Sequence, residues 1–62
     1  MPTIMVNMLE GRTHEQKKEF SQNVTNAAVK DLGVPPQAVT VIFNEVKETN
    51  LAQGGVLKSD QK

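Results

Sequence analysis

The sequence has no cysteine and only one histidine among its 62 residues. Disulfide bonds are therefore excluded, and so are the cysteine and histidine clusters that hold structural zinc. The chain also lacks a Ser-His-Asp set at a workable spacing and a glycine-rich phosphate loop after a strand. A lone domain of this length is marginally stable without a disulfide, a metal or a partner. Self-association is the remaining way to stabilise the fold.

The charge balance gives no sign of a polyanionic partner. Seven basic residues match seven acidic ones, and no basic stripe or aromatic interleaving appears. We therefore expect neither nucleic acid nor a membrane as a partner. The apolar stretch Thr3-Ile4-Met5-Val6 is too short for a signal peptide and lacks the basic flank of one. No apolar run approaches the ~20 residues of a membrane span. These features predict one domain over residues 1–62 and a cytoplasmic location.

The segment from Pro2 to Leu9 reads as a β-strand. Ile4, Val6 and Met8 fall on one face at period two, and the alternate residues are also largely apolar. A strand with two apolar faces is typical of a buried position. One face can pack on the chain's own helix, and the other requires a second subunit.

A helix is predicted after the break at Glu10-Gly11-Arg12. Thr13 followed by Gln16 is a capping-box pattern that starts the helix at about His14, and Gly33 suits a left-handed C-terminal cap. The apolar stripe predicted to cover the sheet comprises Phe20, Val24, Ala27, Ala28 and Leu32. The residues predicted to face water are Lys17, Lys18, Gln22, Asn26 and Lys30.

The remaining segments complete one βαβ unit. Val34-Pro35-Pro36 is a rigid connector into a turn over residues 36–38, and residues 39–46 alternate as a second strand. The fold class is thus α+β, with two parallel strands and one covering helix, completed by oligomerisation. Gly54-Gly55 predicts a small hairpin or an arm over a neighbour, and residues 58–62 are expected to fray.

Several polar residues allow a structural or a catalytic interpretation. His14 fits an exposed first helical turn better than an acid–base role, and Glu45 fits a water-facing carboxylate better than a general base. Asn7 and Asn44 fit satisfied sheet positions better than substrate contacts. None of the four points to chemistry by itself.

Pro2 has a chemical potential that the other residues lack. If Met1 is removed, Pro2 presents a secondary amine at the start of a buried strand. Amino-terminal groups titrate near neutral pH, and burial or a nearby cation lowers the pKa further, which suits a general base. The alternative is that Pro2 merely permits removal of Met1.

Arg12 is the chain's single arginine, placed at the turn between strand and helix. A guanidinium can bind a carboxylate through two parallel hydrogen bonds. A cation is mildly unfavourable at a helix N-terminus, so a structural reason for arginine there is weak. Binding of an anion and a plain surface position both remain open.

Taken in order, these segments resemble the 4-oxalocrotonate tautomerase family over nearly the whole chain. The resemblance rests on Met1-Pro2, the short apolar strand, Leu9-Glu10-Gly11-Arg12-Thr13, the helix and its end, the second strand and Gly54-Gly55. It implies a βαβ subunit that pairs into a four-stranded sheet and assembles as a homohexamer, a trimer of dimers, or as a dimer. It also implies a tautomerase that needs no cofactor.

The resemblance assigns roles to five positions. Pro2 is the general base that takes a proton from one position of an enol or dienol and returns it to another. Arg12 matches the arginine that binds a substrate carboxylate in a site shared between subunits, and Leu9 sits where a backbone amide holds substrate. Thr40 replaces a second family arginine, and Leu51 replaces an aromatic residue that helps to exclude water.

The implied activity is tautomerisation of a 2-hydroxy-dienoate or 2-oxo acid, a small-molecule carboxylate. Thr40 cannot lower the pKa of the Pro2 amine as a cation would, so the rate optimum is expected at higher pH than in relatives with both arginines. The departures at Thr40 and Leu51 favour an alternative: an oligomer of the same fold with weak or no catalysis, in a binding or structural role.

Overall fold

The structure, a computed structural model, describes residues 1–61. Its strands and helix are, in chain order, β1 (Thr3–Leu9), α1 (His14–Leu32), β2 (Thr40–Val46), β3 (Ala52–Gln53) and β4 (Val56–Leu57). The strands β1 and β2 pair in parallel, from Thr3 opposite Thr40 to Leu9 opposite Val46. The strands β3 and β4 form an antiparallel hairpin. The predicted α+β class and βαβ order are confirmed.

Local side-chain chemistry defines both ends of α1. The Thr13 hydroxyl accepts a hydrogen bond from the Gln16 backbone N–H at 3.1 Å, and Gln16 Oε1 accepts one from the Thr13 N–H at 3.0 Å. At the other end, Gly33 adopts φ 70° and donates its N–H to the Val29 carbonyl at 3.1 Å. A residue with a Cβ would be strained in that left-handed conformation. Both predicted helix ends are confirmed.

The face of α1 that covers the sheet differs from the predicted stripe. Phe20 and Leu32 remain 46% and 64% exposed, while Lys17, predicted to face water, is half-buried. The less exposed helix positions are Lys17, Ser21, Val24, Thr25, Ala28 and Val29. A helix about 10 Å wide lies here on two strands about 4.8 Å apart, so the flanks of its apolar stripe overhang the ribbon.

The connections agree with the sequence except at the C-terminal end. Pro36–Ala38 forms a 3-10 turn as predicted, and β2 begins one residue later than predicted. Lys58–Asp60 also forms a 3-10 turn, in which the Lys58 N–H donates to the Leu51 carbonyl at 2.8 Å. The predicted fraying of the tail is therefore wrong for residues 58–60, and Lys62 lies outside the described residues.

One face of the β1–β2 ribbon carries no covering element from residues 1–61. Met5 is 57% exposed and Ile42 43% exposed on that face, and Ala28, 8% exposed, is the most buried residue of the part described. The exposed area is 4876 Å², whereas a compact monomer of 6.8 kDa exposes about 3,950 Å². The radius of gyration is 14.9 Å, against about 10.6 Å for a compact domain of this length. The flat subunit leaves apolar surface for a partner.

Candidate functional site

Pro2 and Thr40 meet at the amino end of the parallel ribbon. Pro2 immediately precedes β1, Thr40 opens β2, and the Thr40 N–H donates to the Pro2 carbonyl at 3.0 Å. Both residues are half-buried. Met1 is 92% exposed and remains bonded to Pro2 here, so the proline nitrogen is an amide in this form of the chain. Removal of Met1 would convert it into a basic amine.

Leu9, Arg12 and Leu51 gather at the opposite, carboxyl end. Leu9 closes β1, and the Glu10 N–H continues the ribbon by donating to the Val46 carbonyl at 2.9 Å. Gly11, at φ 124°, then turns the chain so that Arg12 follows before the helix cap. A cavity of about 400 Å³ has Leu9 and Leu51 in its lining, and Arg12 borders a second cavity of about 530 Å³ that Leu9 shares.

The two groups lie too far apart to form one site within the chain. Pro2 and Leu9 are separated by the length of β1, a strand of 7 residues. At about 3.3 Å per residue, this separation is roughly 23 Å. A small ligand bound at Arg12 would therefore lie beyond the reach of the Pro2 nitrogen of the same chain.

The other polar candidates have structural partners or exposed positions. Asn44 Nδ2 donates to Asn7 Oδ1 at 2.9 Å across the ribbon, as expected for satisfied sheet positions. His14 is exposed at the first residue of α1. Glu45 Oε1 accepts from Lys17 Nζ at 2.9 Å, and both side chains are about 30% exposed. The Glu45 carboxylate thus has a cationic partner.

The sequence interpretation missed a groove beside Arg12. The groove has a volume of about 280 Å³ and is lined by Met8, Arg12, Gln16, Lys17, Phe20 and Phe43. The Phe20 and Phe43 rings pack edge to face, with centroids 6.1 Å apart and planes at 61°. The alternation of side chains along β2 indicates part of this groove. Glu45 continues the alternation of Val41 and Phe43, so it must lie on the face of the strand that meets the helix.

Two further classes of feature are absent from the described residues. Across positions 1–61, no group of three or more His, Cys, Asp or Glu side chains comes together as a metal site. Over the same positions, no helix combines the length and the apolar character needed to cross a membrane.

The family model and the similar proteins all indicate the same family. Residues 2–61 match the family model described as tautomerase enzyme. A probable tautomerase of Listeria monocytogenes is 43% identical over 60 residues, covering 97% of this chain and 98% of the relative. A probable tautomerase of Staphylococcus epidermidis is 44% identical over 61 residues, covering 98% of this chain and all of the relative.

Solved structures agree in fold. A 4-oxalocrotonate tautomerase homologue superposes with a TM-score of 0.94 at 42% identity, covering 100% of this chain and 98% of its own. The heterohexameric 4-oxalocrotonate tautomerase of Chloroflexus aurantiacus superposes with a TM-score of 0.90 at 34% identity, covering both chains fully. With its βαβ ribbon and the match over residues 2–61, this chain belongs to the tautomerase family.

Proposed function

We propose that this chain is a subunit of a cofactor-free tautomerase acting on a 2-hydroxy-dienoate or 2-oxo acid. Pro2 is the general base, and Arg12 binds the substrate carboxylate with the help of the Leu9 backbone amide. The observation that supports this best is the division of the candidate residues between opposite ends of one ribbon. The amino end supplies the proposed base, Pro2, and the carboxyl end supplies the proposed carboxylate-binding groups, Arg12 and Leu9. Two chains side by side therefore supply both.

The chemistry needs only a neutral amine and a fixed carboxylate. After loss of Met1, the Pro2 nitrogen has a lone pair that accepts a proton from the substrate, leaving an enolate-like anion. The protonated amine then returns the proton at a different position, which completes the keto–enol exchange. No electron leaves or enters the substrate, so the reaction balances without a redox partner.

Assembly is the step that brings Pro2 and Arg12 together. Two ribbons arranged antiparallel place the amino end of one beside the carboxyl end of the other. The exposed Met5 and Ile42 supply apolar surface for the contact between copies, and the excess exposed area of about 900 Å² matches one side of an ordinary interface. The Chloroflexus neighbour is a heterohexamer. We therefore propose a homohexamer built as a trimer of dimers, with a dimer as the smaller alternative.

Light scattering combined with circular dichroism tests the assembly. We expect no stable folded monomer at micromolar concentration, because one chain alone leaves much of its apolar surface in water. Dilution should lower the helical signal and the particle mass together. A folded particle of 6.8 kDa at those concentrations would refute this part of the proposal.

The catalytic role of Pro2 is tested by mass spectrometry followed by kinetics. The purified protein should lack Met1, and Pro2→Ala should then slow the tautomerisation of 2-hydroxymuconate and phenylenolpyruvate by about 10²- to 10⁴-fold. Light scattering on the variant controls for loss of assembly. Equal rates in both proteins, or retention of Met1 in an active protein, would dispose of the mechanism.

A second candidate function is favoured by Thr40 and Leu51. Loss of a charge-assisted contact of about 1.5–3 kcal/mol weakens a complex roughly 10- to 150-fold. An oligomer of this fold with weak or no catalysis would then serve a binding or structural role. The Pro2→Ala kinetics separate the two, because this candidate predicts background rates before and after the substitution.

A further inference from the structure

The uncovered face of the β1–β2 ribbon has a polar rung between two apolar rungs, where a rung is a pair of residues opposite each other on the two strands. Strand alternation and the observed register place four rungs on this face, none of them charged. From the amino end to the carboxyl end, they are Thr3–Thr40, Met5–Ile42, Asn7–Asn44 and Leu9–Val46. The Asn7 and Asn44 amides are exposed, although apolar side chains flank them on both sides.

The Asn7–Asn44 rung uses only part of its own hydrogen-bonding capacity. Asn44 Nδ2 donates to Asn7 Oδ1 at 2.9 Å, and within residues 1–61 neither side chain makes another hydrogen bond. An amide side chain has two donor hydrogens and an acceptor oxygen. The rung therefore leaves Asn7 Nδ2 able to donate and Asn44 Oδ1 able to accept. In a single subunit, water can meet both needs.

Burial of this face between copies of the chain removes that water. An amide buried without a partner costs free energy, so the rung penalises any contact that places it against an apolar rung. A shift of one rung is two residues along the strand, about 6.6 Å, and it produces this mismatch. The same rung of another copy meets the need directly, because its acceptor and donor complement the donor and acceptor of the first.

We propose that the Asn7–Asn44 rung hydrogen-bonds to the same rung of a second copy, and thereby fixes the alignment and the number of copies in the assembly. A lone polar position in an apolar contact sets register and oligomer number in this way in coiled coils. The partner is a second copy, because the face has no charge to attract a different subunit and the rung complements itself. The inference rests on the assembly in the proposed function and deepens it.

Opposite charges at position 44 test whether the rungs of different copies meet. Asn44→Asp and Asn44→Lys each keep a side chain that can hydrogen-bond to Asn7 within the chain, but each brings like charges of different copies together. Each variant alone should need about tenfold higher concentration than the native protein to assemble. An equal mixture, co-refolded, should assemble at native concentrations into particles with equal numbers of the two chains. Light scattering measures the particle mass, and native mass spectrometry measures the composition.

Asn23 supplies the matched control for these charges. It is exposed on α1, so Asn23→Asp and Asn23→Lys should each assemble alone, and their mixture should have a random composition. The inference is overturned if the Asn44 charge variants behave in the same way, because the rungs of different copies would then not meet.

Removing the polarity of the rung tests its effect on the number of copies. In Asn7→Leu/Asn44→Val, three consecutive rungs are apolar, so a shift of one rung no longer buries an unpaired amide. This double variant should resist urea at least as well as the native protein but should populate more than one particle mass. Asn44→Val alone leaves the Asn7 amide without its partner and should dissociate about tenfold more readily. A single, native particle mass for the double variant would overturn the role of the rung in setting the number of copies.

These measurements separate the inference from the proposed function. They record mass and composition, so they do not depend on the kinetics of Pro2→Ala. A native protein that stays a folded monomer would refute both the proposed assembly and this inference. A native oligomer whose Asn44 charge variants assemble normally would refute the inference alone and would leave the proposed roles of Pro2 and Arg12 intact.

Discussion

The two ends of the β1–β2 ribbon differ in what they offer a substrate. The amino end has a ring nitrogen and the Thr40 hydroxyl, held together by one backbone hydrogen bond of 3.0 Å. The carboxyl end has the Arg12 guanidinium, which forms no ion pair with residues 1–61, the Leu9 amide and cavities on both sides of Arg12. In the proposed function, the first end transfers a proton once Met1 has been removed, and the second end binds an anion.

This separation explains how so small a chain could support catalysis. About 23 Å of extended strand keeps Pro2 and Arg12 apart, and the chain has no second arginine that might serve the amino end. Binding and proton transfer are therefore divided between subunits in the proposed assembly. The surface that stabilises the fold by association would then also complete the site.

Mixing two impaired variants is the strongest test that Pro2 and Arg12 of one site come from different chains. Pro2→Ala and Arg12→Ala should each lower turnover, the first by about 10²- to 10⁴-fold and the second by about 10- to 150-fold. Unfolding and refolding an equal mixture should restore about a quarter of the native rate, since each site draws Pro2 and Arg12 from different chains at random. The measurement is kcat/KM for 2-hydroxymuconate before and after co-refolding.

The control for this experiment is the double variant. Either single variant co-refolded with Pro2→Ala/Arg12→Ala chains contains no intact site, so its rate should not exceed that of the single variant alone. Absence of recovery in the first mixture, with hybrid oligomers confirmed by native mass spectrometry, would mean that Pro2 and Arg12 do not act in a shared site.

The elements of the fold were predictable because their signals are local. Thr13 and Gln16 fix the start of α1 through hydrogen bonds three residues apart, and Gly33 fixes its end through its own backbone angle. The parallel pairing follows from strand, helix and strand in so short a length. Such signals need no knowledge of distant neighbours.

The groove was not predictable because it depends on how the helix sits on the ribbon. The spacing of Phe20 predicts a core residue, yet Phe20 overhangs the two strands and is 46% exposed. The helical spacing predicts that Lys17 faces water, yet its amine contacts Glu45, which is 28 positions away in sequence. Contacts of this kind are decided by the rotation of the helix, which residue spacing alone does not define.

A cation added at the amino end should sharpen the contrast between the ends. In Thr40→Arg, the guanidinium disfavours the protonated Pro2 amine and lowers its pKa, so the rate should begin to rise about one pH unit lower. The kcat/KM for a dicarboxylate should increase about 10- to 150-fold, while that for a monocarboxylate changes less. The pH–rate profiles of Thr40→Arg and the neutral Thr40→Gln provide the measurement. A profile of native protein already showing a base that titrates well below neutrality would contradict the reasoning.

An aromatic ring added at the carboxyl end should change the kinetics least among the substitutions proposed. Leu51 is half-buried in the lining shared with Leu9, and Leu51→Phe adds apolar surface there without charge. We expect KM for phenylenolpyruvate to fall about two- to fivefold, from the extra apolar area removed from water. The midpoint of the pH–rate profile should move much less than in Thr40→Arg, because a hydrocarbon ring supplies no field. Leu57→Phe, on β4 of the hairpin that follows Leu51, is the matched control. A pH shift as large as that of Thr40→Arg would place Leu51 in direct contact with the amine and erase the distinction between the two ends.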